Sequence, residues 1–186
     1  MGGFLHIAAA VRALRAGGII AYPTEGVWGL GCDPFNESAV RRLLALKGRP
    51  VSKGLILVAG DAAQFDSCLR GLPRATRERI CRSWPGPVTW VVPAAPQLPQ
   101  WIRGDHPGAA IRVSAHPLVR ALSEAFAGPI VSTSANPQGL APARTELKVR
   151  LYFRDRVDYV LSGELGGARG ASEIRDAMTG RVLRPA

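Results

Sequence analysis

Ile7, Val11 and Leu14 recur at helical spacing ahead of Gly17-Gly18, which predicts an opening helix closed by glycine. The apolar stretch 19–22 then reads as a strand ended by Pro23. Residues 24–31 (TEGVWGLG) are too rich in glycine for regular structure and read as a shaped loop. Asn36 is placed to cap a second helix over 37–46. That helix stops at Lys47-Gly48-Arg49-Pro50, since glycine terminates helices and proline disfavours helical geometry in the residue before it. Strands are expected over 55–58, 88–92 and 109–113, with helices over 62–69 and 74–83. Pro117 suits the first turn of a further helix that Gly128 closes. Ile130-Val131 forms a short core strand running into Ser132-Thr133-Ser134-Ala135-Asn136. A helix near 145–152, a strand over 159–161 and a hairpin over 172–184 turning at Thr179-Gly180 complete the chain.

Strands interleaved with helices predict an α/β (α+β) fold, residues 1–186 forming a single domain. Its twisted, mixed β-sheet is flanked by helices, and polar loops gather at the strand ends. No internal repeat and no linker interrupts the pattern. A length of 186 residues suits one domain with a sizeable core, and 47% hydrophobic with 20% charged residues is ordinary for a globular chain. This composition argues against disorder.

The net charge of +10 favours polyanions such as RNA or nucleotide phosphates. Only Lys47, Lys53 and Lys148 are lysines, so the excess is nearly all arginine, which base composition alone can produce. Cys32, Cys68 and Cys81 form no C-x-x-C pair and leave an odd thiol, against a disulfide framework or zinc site and consistent with reduced, cytoplasmic surroundings. The first residues lack the pattern of a leader, and no stretch reaches the roughly 18 apolar residues of a membrane span.

The common signatures are missing. There is no G-x-x-x-x-G-K-[ST], no H-E-x-x-H and no G-x-S-x-G, Gly29-Leu30-Gly31 runs into Pro34, and His6, His106 and His116 are scattered. Four polar clusters remain: Pro23-Thr24-Glu25, Lys47-Gly48-Arg49-Pro50, Ile111-Arg112-Val113 and Ser132 to Asn136. Lysine offers a compact charge and arginine a planar fork, two complementary ways to hold phosphate oxygens across a rigid turn, and Lys53 can add a third cation. Ser132, Ser134 and Asn136 alternate along an extended segment and would share one face, suited to a small polar ligand. Plainer readings stand beside these. Lys47 and Arg49 can be helix-terminal cations facing the dipole, and Ser-Thr-Ser-Ala-Asn is a common cap-and-turn composition. Arg112, flanked by apolar residues within a strand, needs an anionic partner, either a ligand or an Asp or Glu. Trp28, Trp84 and Trp90 suit core or pocket walls, and Trp28 could stack on a base.

Together the clusters resemble the YrdC/TsaC family, whose Tyr-Pro-Thr-Glu, Lys-x-Arg-Pro and Ser-x-Asn pattern stands here at 22–25, 47–50 and 134–136 in matching order. The likeness extends through Arg82 to Pro87, Ile111-Arg112-Val113, Ser172 to Asp176 and Leu183-Arg184. It differs at Gly26, where the family often has Thr, and at Gly170-Ala171, where Pro is frequent at the second place. The resemblance implies a YrdC-like fold with a basic concave cavity and a threonylcarbamoyl-AMP synthase activity of the short bacterial form, a nucleotidyltransfer using ATP, L-threonine and bicarbonate, with Mg2+ accompanying ATP and no protein-bound metal. By matching position, Lys47, Arg49, Lys53, Ser134, Asn136 and Arg184 should face ATP, with Lys47 and Arg49 catalytic, while Thr24, Arg112, Ser132 and Ser172 should hold threonine. A tRNA-modifying transferase complex is the implied partner, tRNA or other RNA a further one, and a membrane none. The rivals are a noncatalytic RNA-binding or ribosome-associated protein, and a carbamoyl-transfer domain like that of hydrogenase-maturation proteins.

Overall fold

The structure, a computed structural model, describes residues 2–186, with side chains from Leu5 onward. Helix α1 (Gly2–Arg15) ends where Gly17 takes the left-handed conformation, φ +77°. Strands β1 (Ile20–Pro23) and β2 (Trp28–Gly31) form an antiparallel hairpin, Tyr22 opposite Gly29. The second half of the expected loop is therefore a strand. Its glycines do not break the strand. They are the space into which the fully buried Tyr22 ring packs, because a Cβ on Gly31 would lie 2.5 Å from Val131 O and 2.9 Å from Tyr22 Cε1.

Helix α2 (Glu37–Lys47) follows, with Asn36 Oδ1 accepting from Ala39 N at 3.0 Å and Gly48 closing it at φ +65°. The chain then passes through a 3-10 turn into β3 (Ile56–Ala59). A second 3-10 turn and the short α3 (Asp66–Leu69) stand where one helix was expected, ahead of α4 (Arg74–Arg82). After β4 (Val88–Pro93) comes the short helix α5 (Gln100–Arg103), which no periodicity announced, and then β5 (Gly108–Val113). Helix α6 (Pro117–Phe126) is capped by His116, and it is Ala127, not Gly128, that adopts the left-handed terminating conformation, φ +66°. Strand β6 (Ile130–Ser134), helix α7 (Glu146–Phe153) and strand β7 (Tyr159–Val160) precede the terminal hairpin of β8 (Glu173–Asp176) and β9 (Val182–Arg184).

The nine strands of the described residues belong to one sheet ordered β7-β1-β2-β6-β3-β5-β4-β8-β9. Three neighbouring pairs are parallel, β1/β7, β3/β5 and β4/β8, so the sheet is mixed. Side chains alternate across it with period 2. Ile20, Tyr22, Val58 and Ile130 bury one face under α1 and α6, while Ile19, Ala21, Leu57 and Val131 join α2 on the other. Burial at roughly 25 cal/mol per Å2 of apolar surface makes these two layers the main support of the fold. They also fix the strand ends that carry the polar clusters.

Candidate active site

A cavity of about 680 Å3 opens along the sheet, walled by the ends of β1, β3, β5 and β6, by β4 and β8, and by the segment after the second helix. Eight of the ten residues singled out from the sequence line it: Thr24, Arg49, Lys53, Arg112, Ser132, Ser134, Ser172 and Arg184. Lys47 and Asn136 stand just behind the wall.

Lys47, at the last turn of α2, is only 5% exposed. Its Nζ donates to Ser134 O, to Asn136 O at 2.8 Å and, at 3.4 Å, to Asn136 Oδ1. Burial, with the neighbouring positive Arg49, lowers its pKa to about 8. Asn136 is held on all sides: Oδ1 also accepts from Ser134 Oγ at 2.6 Å, while Nδ2 donates to Pro137 O and Leu140 O. The expected alternation of Ser132, Ser134 and Asn136 breaks because β6 ends at Ser134 and the chain turns there. Arg49 bridges from the other side, Nη2 donating to Lys53 O at 3.2 Å and Gly54 O at 2.9 Å. Its Nε is buried without a hydrogen-bond partner among the described residues, an orphan donor in the wall of a cavity.

The question posed by the apolar surroundings of Arg112 has an answer inside the chain. Arg112 Nη1 donates to Glu25 Oε2 at 2.8 Å, the side chains being 8% and 11% exposed. Glu25 Oε1 accepts from Ser114 Oγ at 2.8 Å and Ala115 N at 3.0 Å. Burial works against the ionised carboxylate, yet Arg112 and these donors outweigh it and hold the group below the usual range. Glu25 was visible in the sequence beside Thr24 and drew no role of its own; the need of Arg112 for an anion was the signal.

Thr24 Oγ1 donates to Val27 O at 2.7 Å, tightening the turn between β1 and β2. The strap formed by residues 163–172 lies over this turn, Gly166 N donating to Thr24 O and Ala168 N to Glu25 O. Gly26 permits the crossing, since a Cβ there would lie 2.0 Å from Gly170 O. Ser172 Oγ meets Thr89 Oγ1 at 2.8 Å, and Arg184 Nη2 donates to Ser172 O at 2.6 Å. Thr89 is fully buried, and its hydroxyl within the apolar run Val88 to Val92 is the sequence signal for this partner of Ser172. Burial, then the charges of Arg49 and Arg112, lower the pKa of Arg184, so these three cations share one field. Trp28, 2% exposed, belongs to the core and reaches the cavity only as part of its wall.

The family model Sua5/yciO/yrdC, described as "Telomere recombination", matches residues 12–186. A protein of Pseudomonas aeruginosa named threonylcarbamoyl-AMP synthase is 56% identical over 177 residues, 95% of each chain. One of the same name from Pseudomonas paraeruginosa is 57% identical over the same length. Among solved structures, P. abyssi Sua5 complexed with L-threonine superposes with a TM-score of 0.89 at 31% identity, over 96% of this chain and 53% of that one. This chain thus spans about half of that protein. E. coli YciO shares the fold, TM-score 0.85 at 22% identity, covering 98% of this chain and 89% of that one.

Proposed function

Because the chain belongs to the Sua5/YciO/YrdC family, we propose that it is a threonylcarbamoyl-AMP synthase, joining L-threonine, bicarbonate or CO2, and ATP, with release of pyrophosphate, for tRNA modification. The observation that carries the reading is the division of the cavity. Arg112 sits paired with Glu25, whereas Arg49, Lys53 and Arg184 make no ion pair with a carboxylate among the described residues.

Threonine carbamate attacks the α-phosphorus. A bond forms between a carbamate oxygen and phosphorus, the bond from phosphorus to the bridging oxygen breaks, and the electron pair leaves with pyrophosphate. Two anions must meet, so the protein's task is to position them and neutralise charge, without a covalent intermediate. Arg49, Lys53 and Arg184, cavity-lining cations without a carboxylate partner among the described residues, take the triphosphate. Lys47 serves the same end by holding Ser134 and Asn136 in place. Thr24, Arg112, Ser132 and Ser172 hold the amino acid, Arg112 at its carboxylate.

Mg2+ would accompany ATP and supply counter-charge to its triphosphate. Among the described residues no group of three His, Cys, Asp or Glu side chains is placed to hold a metal. In this reading the product passes to a tRNA-modifying transferase complex in the cytoplasm.

The test is mass spectrometry of the product from purified protein, ATP, threonine and 13C-bicarbonate. A labelled, threonine-dependent adenylate with matching pyrophosphate is expected. Tight, salt-sensitive RNA binding without turnover would instead support a noncatalytic RNA-binding protein.

A further inference from the structure

We propose that Glu25 is a specificity-determining residue that sorts the two anionic substrates, reserving the Arg112 end of the cavity for a zwitterionic amino acid and leaving polyphosphate to the other end. The inference rests on the functional reading above and deepens it.

The cavity wall contains two kinds of cation. Arg49, Lys53 and Arg184 face it without a carboxylate partner among the described residues, and such charges attract phosphate oxygens indiscriminately. Arg112 faces the same cavity with an ionised carboxylate 2.8 Å away, itself fixed by Ser114 Oγ and Ala115 N. Asp176 also lies in the wall, but its Oδ1 is turned to Thr179 N and Oγ1. The Arg112–Glu25 pair therefore adds almost no net charge to the field of Arg49 and Arg184, and in a partly buried site this matters more than in water. A polyphosphate placed there would gain Arg112 and meet Glu25. As it first binds, an amino acid brings a carboxylate and an ammonium group, one for each member of the pair; the ammonium gives up its proton before the carbamate forms. Only one of the five N–H groups of Arg112 is committed to Glu25, so the guanidinium keeps donors for a ligand carboxylate. Without the pair, a small amino acid would compete poorly against a substrate of several negative charges for any arginine in this basic hollow.

The test is calorimetric and needs no turnover. Threonine is titrated into the full chain with and without saturating pyrophosphate, for wild type, Glu25→Gln and the charge-balanced double variant Glu25→Gln with Arg112→Gln. Pyrophosphate should leave threonine affinity of the wild type within about twofold. In Glu25→Gln it should become a competitor, raising the apparent Kd for threonine about tenfold or more, as expected when a like-charge barrier is removed. In the double variant threonine binds weakly and the competition disappears. Competition already present in the wild type overturns the proposal, and that arm holds even if the single variant fails to fold; so does a folded Glu25→Gln in which pyrophosphate and threonine stay independent. A wild type that binds no threonine removes the functional reading itself and this inference with it, whereas an active synthase lacking the competition pattern removes only the sorting role.

Discussion

Replacing Lys47 by Met keeps the stem that packs at the end of α2 and removes the ammonium group. Two short contacts are lost, to Ser134 O and Asn136 O, with a longer one to Asn136 Oδ1. Charge-assisted hydrogen bonds contribute about 1.5–3 kcal/mol each, so the two short ones supply roughly 3–6 kcal/mol. Against this stands the cost of burying the charge. The pKa falls from 10.5 to about 8, which at about 1.4 kcal/mol per pH unit corresponds to roughly 3 kcal/mol. The variant also leaves carbonyl oxygens behind the wall unpaired, at about 1–3 kcal/mol. A net loss of about 3 kcal/mol, within a span of about 1–6 kcal/mol, follows. In a chain of 186 residues this lowers Tm by roughly 5–15 °C. Calorimetry and urea unfolding read it directly. Arg49→Ala is the comparison, because Arg49 is half-buried, its two bonds to backbone oxygens are longer and more exposed, at 2.9 and 3.2 Å, and its orphaned Nε is removed with it. It should cost less than about 1.5 kcal/mol while still weakening ATP binding. A Lys47→Met protein that melts within about 2 °C of wild type, yet loses ATP affinity, would refute the reasoning. The ammonium would then be a phosphate ligand first and a clamp for the strand end hardly at all.

Linkage gives the same residue a pH signature. Its folded pKa of about 8 lies below the roughly 10.4 of an unfolded lysine, so between these values the unfolded chain binds more protons and stability rises with pH. The stability gap between wild type and Lys47→Met should be flat below pH 8 and widen by about 2 kcal/mol near pH 9.5 in urea titrations; a constant gap would contradict it. Gly26→Thr restores a residue frequent in the resembling family, but its Cβ would fall on Gly170 O. Protease cleavage within 163–172 should accelerate and threonine affinity drop on the order of 10- to 100-fold, unlike a tolerated surface change. Cys81 is exposed, while burial pushes Cys32 to about 12 and Cys68 upward, so a thiol reagent should label one site per native chain and three after denaturation.

Much of the molecule was legible because periodicity and capping are local. Asn36 and Gly48 bound α2 as expected, and the strand and helix order predicts a mixed sheet of the kind found. What escaped was set at a distance. The glycines of β2 read as breakers until Tyr22, on the neighbouring strand, is seen to need their missing side chains. The exchange of Gly128 for Ala127 at the end of α6 is a one-residue choice between adjacent candidates. Within the site, the types of residue were readable and their pairings were not. Arg112 demanded an anion, but only the fold selects Glu25 over a ligand alone. Lys47 and Asn136 were rightly brought together, while which of their atoms face the cavity depends on where β6 stops.

The contacts that shape this cavity join residues separated by 87 and 89 positions, Glu25 with Arg112 and Lys47 with Asn136. No hairpin or helix can rehearse such a site alone, since the long loops must close before either contact gives any return. Occupancy of the hollow and integrity of the whole sheet are consequently one cooperative event. A substrate held there should protect amides as far away as α1 from exchange, so that a local ligand reports on, and defends, the entire fold.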